Sequence, residues 1–154
     1  MSTIKLGDLP KVLTKDLESI MTELGSPANM KALADQMKDD IYKRTKLGYG
    51  VNKTSEAQSK LKPLQNSTKK ARKSMDLDGS TTPSKSNLTQ SGTMLNDLKS
   101  DSEQNGFKIS LGTVESQDKA KWNQDKGRTF MNLSKSQILV ITNFLKKKIV
   151  ELLK

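Results

Sequence analysis

Few residues of this 154-residue chain have the chemistry that a catalyst needs. The sequence contains no cysteine and no histidine, which excludes thiolate nucleophiles, Cys-based zinc sites and the Ser-His-Asp and Cys-His catalytic arrangements. The remaining acid–base groups are carboxylates, Lys and Tyr. Asp39 and Asp40 are neighbours, but adjacent residues on a helix point about 100° apart. The sequence therefore predicts a protein that is not an enzyme.

Two glycine-containing stretches resemble ligand-binding loops only in part. "DLDGS", residues 76–80, begins like a calcium loop, but it lacks the third acidic ligand and the closing bidentate Glu. "LGYGV", residues 47–51, has two glycines without a preceding strand or the third glycine of a dinucleotide site. We interpret them as a turn and a helix end, and we predict no metal and no cofactor.

The best candidate for binding nucleic acid is "KLKPLQNSTKKARK", residues 60–73. This basic segment carries six cationic groups, a density that suits phosphate contacts. It has no aromatic residue for base stacking and no helix-turn-helix or zinc-finger spacing. The alternative is a solvated lysine surface. The residues predicted to face nucleic acid are Lys60, Lys62, Lys69, Lys70, Arg72 and Lys73.

The net charge of +10 is unevenly distributed. Residues 1–40 carry −2, residues 41–73 carry +9, residues 74–118 carry −4 and residues 119–154 carry +7. Such alternation suits nucleic acid, an acidic partner, or head-to-tail packing of identical subunits. Hydrophobic residues make up only 32%, so we expect a core that is thin or is completed by neighbouring subunits. No stretch approaches the ~20 apolar residues of a membrane span, and the first residues lack a secretory signal. We therefore expect a soluble oligomer made in the cytoplasm, with no membrane partner.

Helix signals are strongest at the two ends of the sequence. Asp8-Leu9-Pro10 predicts a helix that ends at Gly25, and Ser26-Pro27 predicts a second over about residues 27–47. The second helix has an apolar stripe formed by Met30, Leu33, Ala34, Met37 and Ile41. Near the other end, Ser134 and Gln137 have capping-box spacing and predict a helix over about residues 135–153.

The middle of the chain is irregular. Residues 48–87 hold three glycines and two prolines, which predicts an extended basic arm or linker with a short helix capped by Ser67 or Thr68. Thr89 or Ser91 is expected to open another short helix. Alternation over residues 107–111 predicts a strand, with a second strand near residues 120–122.

Together these elements predict an α+β fold in a single domain over residues 1–154. N-terminal helices occupy residues 1–47, the arm occupies residues 48–87, and a helix-strands-helix core occupies residues 88–154. The C-terminal helix is expected to pack across a small antiparallel sheet.

Three stretches resemble one family. "KAKWNQDKGRTFMNLSKSQ", residues 119–137, is similar to the closing signature of the virion-morphogenesis or tail-completion family of tailed bacteriophages. The chain departs from that signature at Asn123, where histidine is usual, and at Thr129, where proline is usual. The matching residues are Trp122, Gln124, Gly127, Arg128, Phe130, Leu133 and Ser134.

Two upstream stretches match the same family in the same order. "KLKPLQNSTKKAR" resembles one family segment through Leu61, Pro63, Leu64, Ser67 and Thr68, and "LTQSGTMLNDL" resembles another through Leu88, Ser91, Gly92, Leu95 and Leu98. The resemblance covers most of residues 30–154.

The resemblance implies a structural protein of the virion, at the head–tail junction or neck of the phage. It would assemble as a ring with other neck, connector or tail proteins, with nonspecific contact to DNA in the channel. Two alternatives are a sequence-nonspecific nucleic-acid-binding protein and a tail-assembly chaperone absent from the mature particle.

The signature residues also have structural roles. Phe130 and Trp122 are expected to pack on the last helix and to anchor the corner before it. Arg128 is expected to bond loop carbonyls or the carboxylate of a neighbour.

Overall fold

The chain folds into six helices and four short strands in the part that the computed structural model describes. That part is residues 9–52, 54–79 and 81–153, with side chains from residue 17 onward. The α+β class is confirmed. The elements in chain order are α1 Leu9–Leu24, α2 Pro27–Lys46, β1 Tyr49–Val51, β2 Gln58–Lys60, α3 Asn66–Arg72, α4 Thr93–Asn96, β3 Leu98–Glu103, β4 Gly106–Leu111, α5 Val114–Asp125 and α6 Lys135–Leu152.

The two N-terminal helices lie where the sequence predicts them. The Ser26 side chain accepts a hydrogen bond from the Asn29 amide at 3.4 Å, and Pro27 occupies the first helical position. Pro suits that position because its missing N–H would have no partner there. The predicted stripe of α2 is buried along its whole length. The predicted cap of α1, Asp8, lies outside the described residues.

The main sheet is an antiparallel hairpin of β3 and β4, in register from Leu98 opposite Leu111 to Glu103 opposite Gly106. The β4 strand was predicted, but its partner near residues 120–122 was wrong. Those residues belong to α5, which begins where the Thr113 side chain accepts a hydrogen bond from the Ser116 amide. The true partner is β3. Its residues after Leu98 are polar on both faces, so the strand lacks the apolar alternation that predicts a strand.

Residues 48–87 are not an extended arm. They form the β1–β2 hairpin and α3, and they pack on the rest of the domain. Leu61 is buried in the core cluster with Ile41 and Phe130, and the Val51 amide donates to the Thr129 carbonyl at 2.9 Å. Their apolar residues enter the core singly from loops and short elements, which periodicity does not detect.

The short helices begin at other residues than those predicted. Gln65 precedes α3 and makes no side-chain capping bond, so neither Ser67 nor Thr68 is its cap. Gly92, with φ 73°, precedes α4 in place of Thr89 or Ser91.

The C-terminal helix α6 has the predicted capping box at Ser134 and Gln137. The helix that covers the β3–β4 sheet is α2, whereas α6 contacts α1. Between α6 and the turn of the β3–β4 hairpin lies an apolar cavity of about 720 Å³. Ile141, Leu145 and Phe107 contribute to its wall. The expected packing of α6 across the sheet is therefore replaced by contact with α1.

Candidate functional site

Residues from all three stretches of the family resemblance meet at one cavity of about 590 Å³. α3 and the loop before it bring basic and apolar side chains, the loop before α4 brings small polar ones, and α5 with the following loop forms the opposite wall. Nine residues singled out in the sequence line this cavity: Leu64, Thr68, Arg72, Leu88, Ser91, Gly92, Trp122, Asn123 and Arg128.

Arg72 lies at the end of α3 and is only 4% exposed. One terminal nitrogen, Nη1, donates to the Lys85 carbonyl at 2.9 Å, and Nη2 donates to the Thr81 hydroxyl at 3.5 Å. Among the described residues, its Nε has no hydrogen-bond partner. The prediction that Arg72 faces nucleic acid together with the lysines is therefore wrong, because its side chain points into the protein.

Arg128 follows α5 and is 8% exposed. Its Nη2 donates to the Pro63 carbonyl at 3.3 Å and its Nη1 to Asn123 Oδ1 at 3.5 Å. The guanidinium carbon lies 6.0 Å from the centre of the Trp122 ring. The predicted bond of Arg128 to a loop carbonyl is thus present, and its Nε again has no partner in the described part of the chain.

The two arginines place two like charges at one cavity. Burial lowers the pKa of Arg72, and the charge of Arg128 lowers it further. Burial likewise lowers the pKa of Arg128. Among the described residues, neither side chain forms an ion pair with a carboxylate. Asp118 lines the same cavity. Guanidinium groups keep their protons at neutral pH, so both arginines are cations there. Two cations thus share one cavity without a carboxylate in salt-bridge contact.

Arg44 forms a second polar centre, at the end of α2. Its Nη1 donates to Gln137 Oε1, and its Nη2 donates to the carbonyls of Phe130 at 2.7 Å and Asn132 at 2.5 Å. Burial lowers the pKa of Arg44 to about 10, and the charge of Asp40 acts in the opposite direction. Arg44 therefore joins α2 to the segment that precedes α6.

All three arginines of the chain, Arg44, Arg72 and Arg128, are buried. The other 24 basic residues are lysines. The guanidinium group is planar, weakly hydrated and able to bond several acceptors at once, so it suits buried sites better than the lysine ammonium group. The few arginines in a lysine-rich sequence are the signal that would have located both polar centres.

The two aromatic residues of the signature have different environments. Phe130 is 2% exposed and lies in the core, whereas Trp122 is 54% exposed on α5 and forms part of the cavity wall. The expected anchoring of the corner before α6 therefore fits Phe130, although among the described residues the core cluster around it includes none from α6. It does not fit Trp122, because the surface of this ring is mostly open to solvent.

The remaining signature residues have structural positions around these centres. Leu95 is buried and Leu133 is partly buried against the core. Gln124 is exposed, but its carbonyl accepts from the Gly127 amide at 2.9 Å. Gly127 has φ 75°, and a Cβ there would lie 2.8 Å from Lys62 Nζ. The positive φ favours glycine there, whereas the flexible end of the Lys62 side chain can move to make room for a Cβ.

The predicted lysines are more accessible than Arg72. Lys60, Lys62, Lys70 and Lys73 are exposed, and Lys69 is half-buried. Among the described residues, no group of three or more carboxylates could hold a metal ion, and no helix in that part of the chain has the length and apolar character of a membrane span. Comparison of the chain with protein family models, curated proteins and solved structures finds no match.

Proposed function

We propose that the chain is a structural component of the head–tail junction of a tailed bacteriophage, a neck or tail-completion protein that assembles as a ring with other neck, connector or tail proteins. The order of the three family-like stretches supports the phage context. The convergence of these stretches on one cavity is consistent with it, because residues of a shared signature are expected to lie together when they serve one structural purpose.

The observation that carries the assembly part of the proposal is the uncovered apolar surface of α6. This helix has 18 residues, and Gln137 is its only buried one. Six large apolar side chains of this helix are exposed: Ile138, Leu139, Val140, Ile149, Val150 and Leu152. A helix that is apolar on several sides in an otherwise polar chain is typical of a surface that a partner covers.

In a ring, a neighbouring copy of the chain would cover this apolar surface, and the rest of the subunit surface could stay polar. In a cyclic ring each subunit uses two different surfaces, one toward each neighbour. Alternating basic and acidic segments would suit such contacts.

The assembly is tested by sedimentation velocity of the purified protein over a range of concentrations. We expect a closed oligomer that Leu139→Glu with Val150→Glu converts to monomers without loss of helical circular dichroism. The matched control is Val114→Glu, an exposed apolar position on α5, which should leave the oligomer intact. A wild-type chain that stays monomeric at millimolar concentration, with no neck partner recruiting it, would contradict the proposal.

The phage context needs a separate test. Protein analysis of purified virions, with imaging of the neck, should find the chain in the finished particle. Presence during assembly and absence from the virion would instead indicate the chaperone alternative.

A second candidate function, nonspecific nucleic-acid binding, is favoured by the exposure of Lys60, Lys62, Lys70 and Lys73. Phosphate contacts of this kind weaken steeply as salt is raised. A gel shift of the isolated chain that disappears with salt would support it. Unchanged DNA packaging, DNA retention and infectivity after replacement of Lys69, Lys70 and Lys73 by Glu would remove the DNA contact from the proposal.

A further inference from the structure

The cavity that Arg72 and Arg128 line holds two like charges, and Asp118 in its wall is in salt-bridge contact with neither of them. Both residues are more than nine-tenths buried, both line the cavity, and the Nε of each has no hydrogen-bond partner among the residues that the structure describes. Buried charges in proteins are normally paired with an opposite charge or with a full set of hydrogen bonds. Here two positive charges line one cavity, and the set of hydrogen bonds around each is incomplete.

We propose that this cavity is the binding site for an acidic side chain of a protein partner, a carboxylate flanked by apolar residues. The guanidinium group matches a carboxylate in shape, since its planar N–H donors fit the two oxygens. A single carboxylate bound in the cavity that both arginines line would reduce their mutual repulsion. The apolar wall of Leu64, Leu88, Met94 and Trp122 would cover the flanking residues.

The rim of the cavity carries both signs of charge. Lys119 and Asp118 lie next to each other on α5. Lys119 already forms an ion pair with Glu115 at 2.6 Å. Asp118 opposes an entering anion, but it is exposed to solvent, where its charge is screened. The two buried arginines therefore make the interior of the cavity favour a negatively charged ligand.

Burial also decides between a protein carboxylate and a nucleic-acid phosphate. The two arginines are buried and line the cavity, and the cavity has four large apolar side chains in its wall. A phosphodiester is flanked by polar sugars that would lose water against this wall without hydrogen bonds in return. A carboxylate at the end of a flexible side chain can enter alone. The volume of about 590 Å³ lies within the range, roughly 300–1,000 Å³, of sites that enclose a ligand.

The inference does not depend on a ring or on a phage, because any protein with an exposed acidic-apolar segment would satisfy it. A second copy of this chain is one such protein and is an outcome of the test.

The single tryptophan of the chain, Trp122, lies in the wall and makes the test direct. Its fluorescence is measured while the full chain is titrated with the blocked peptide acetyl-Leu-Glu-Leu-amide and, separately, with acetyl-Leu-Gln-Leu-amide. We expect a saturable change with the Glu peptide and affinity at least roughly tenfold weaker for the Gln peptide, which can accept hydrogen bonds but carries no charge. Arg72→Gln and Arg128→Gln should each weaken binding of the Glu peptide by a similar factor. The matched control is Lys121→Gln, an exposed position of α5, which should leave binding unchanged.

A second measurement requires no variant. The Glu peptide should raise the thermal unfolding midpoint of the wild-type chain, and the Gln peptide should not. Dissociation of an oligomer by the Glu peptide alone would support the site and identify the second copy as the partner, whereas peptide binding to a stable monomer would support the site while contradicting the ring. Equal response to the two peptides, or saturation by inorganic phosphate or oligothymidylate with no response to the Glu peptide, would overturn the proposal.

Discussion

Arg44 and Gln137 are 93 positions apart in the sequence, yet Arg44 Nη1 donates a hydrogen bond to Gln137 Oε1. The same oxygen accepts the backbone amide of Ser134 at 2.9 Å. The residue that closes the capping box of α6 therefore also accepts a bond from the end of α2. The start of α6 is positioned by a tertiary contact as well as by its local sequence.

We expect Gln137→Ala to destabilise the protein by about 2–3 kcal/mol, because it removes one half of the capping box and leaves a buried Arg44 donor without its acceptor. Chemical denaturation by urea, followed by circular dichroism, measures the loss. Gln124→Ala, an exposed glutamine on α5, should change the free energy of unfolding by less than about 0.5 kcal/mol. Equal effects of the two substitutions would show that the shared oxygen contributes nothing to stability.

Substitutions of the two aromatic residues of the signature should have clearly different effects on the stability of the protein. Phe130→Ala removes a ring from the core and should cost about 3–5 kcal/mol. Trp122→Ala removes a mostly exposed ring and should cost less than about 1 kcal/mol. The two variants are compared by thermal unfolding under the same conditions. A large loss for Trp122→Ala would mean that its ring supports the fold in addition to lining the cavity.

Gly50 allows β1 to lie close to the segment before Phe130. A Cβ at Gly50 would lie 2.2 Å from the Thr129 carbonyl oxygen and 2.7 Å from a methyl carbon of Leu61. Gly50→Ala should therefore destabilise the protein by about 1–3 kcal/mol, as overpacking does elsewhere. The control is Gly79→Ala, where an added Cβ has no atom within 4 Å, and we expect no measurable loss there. Urea denaturation of both variants makes the comparison.

Asp97 should contribute to the acid sensitivity of the fold. The Thr113 side chain and backbone amide donate to Oδ2 of Asp97 at 2.8 and 2.7 Å, and these bonds hold its pKa below the usual value. A carboxyl group whose pKa is lower in the folded state binds protons more readily when unfolded. Its contribution is present above the unfolded pKa of about 3.9 and is lost as the pH falls through the lower folded value.

The measurement is the thermal unfolding midpoint of the wild type and Asp97→Asn from pH 7 down to pH 2. We expect the variant to be less stable at pH 7 and the difference to shrink as the pH falls below about 4. A difference that stays constant over the whole range would show that the ionised form of Asp97 has no special stabilising role.

Local signals in the sequence were sufficient for the long helices. Three such signals predict the observed helices correctly: Ser26-Pro27, the stripe of α2 and the Ser134–Gln137 capping box. Each depends on residues that lie no more than four positions from the next one along the chain. The helix α5 lacks an apolar stripe: Val114 and Trp122 are exposed, and Ala120 is its only buried apolar residue. Its identity as a helix is decided by the Thr113 cap and by tertiary contacts.

The candidate site was visible in parts. The sequence identified Arg128, Trp122 and the Ser91-Gly92 pair as notable, but it placed Arg72 with the surface lysines. Which of several cations turns inward depends on distant acceptors such as the Lys85 carbonyl, and no periodicity contains that information. Likewise, the strand β3 is recognisable only from its pairing with β4 and its packing on α2.

The attachment of α6 by its first turn has a consequence for hydrogen exchange of its backbone amides. Opening the first turn requires loss of the Arg44 and Ser134 bonds, whereas opening near Val150 exposes little that is not already in water. Protection against deuterium should therefore decline along α6 in the isolated chain. A subunit that covers the distal turns would reverse this gradient, so the rate at which those amides exchange reports directly on whether α6 is in contact with a neighbour.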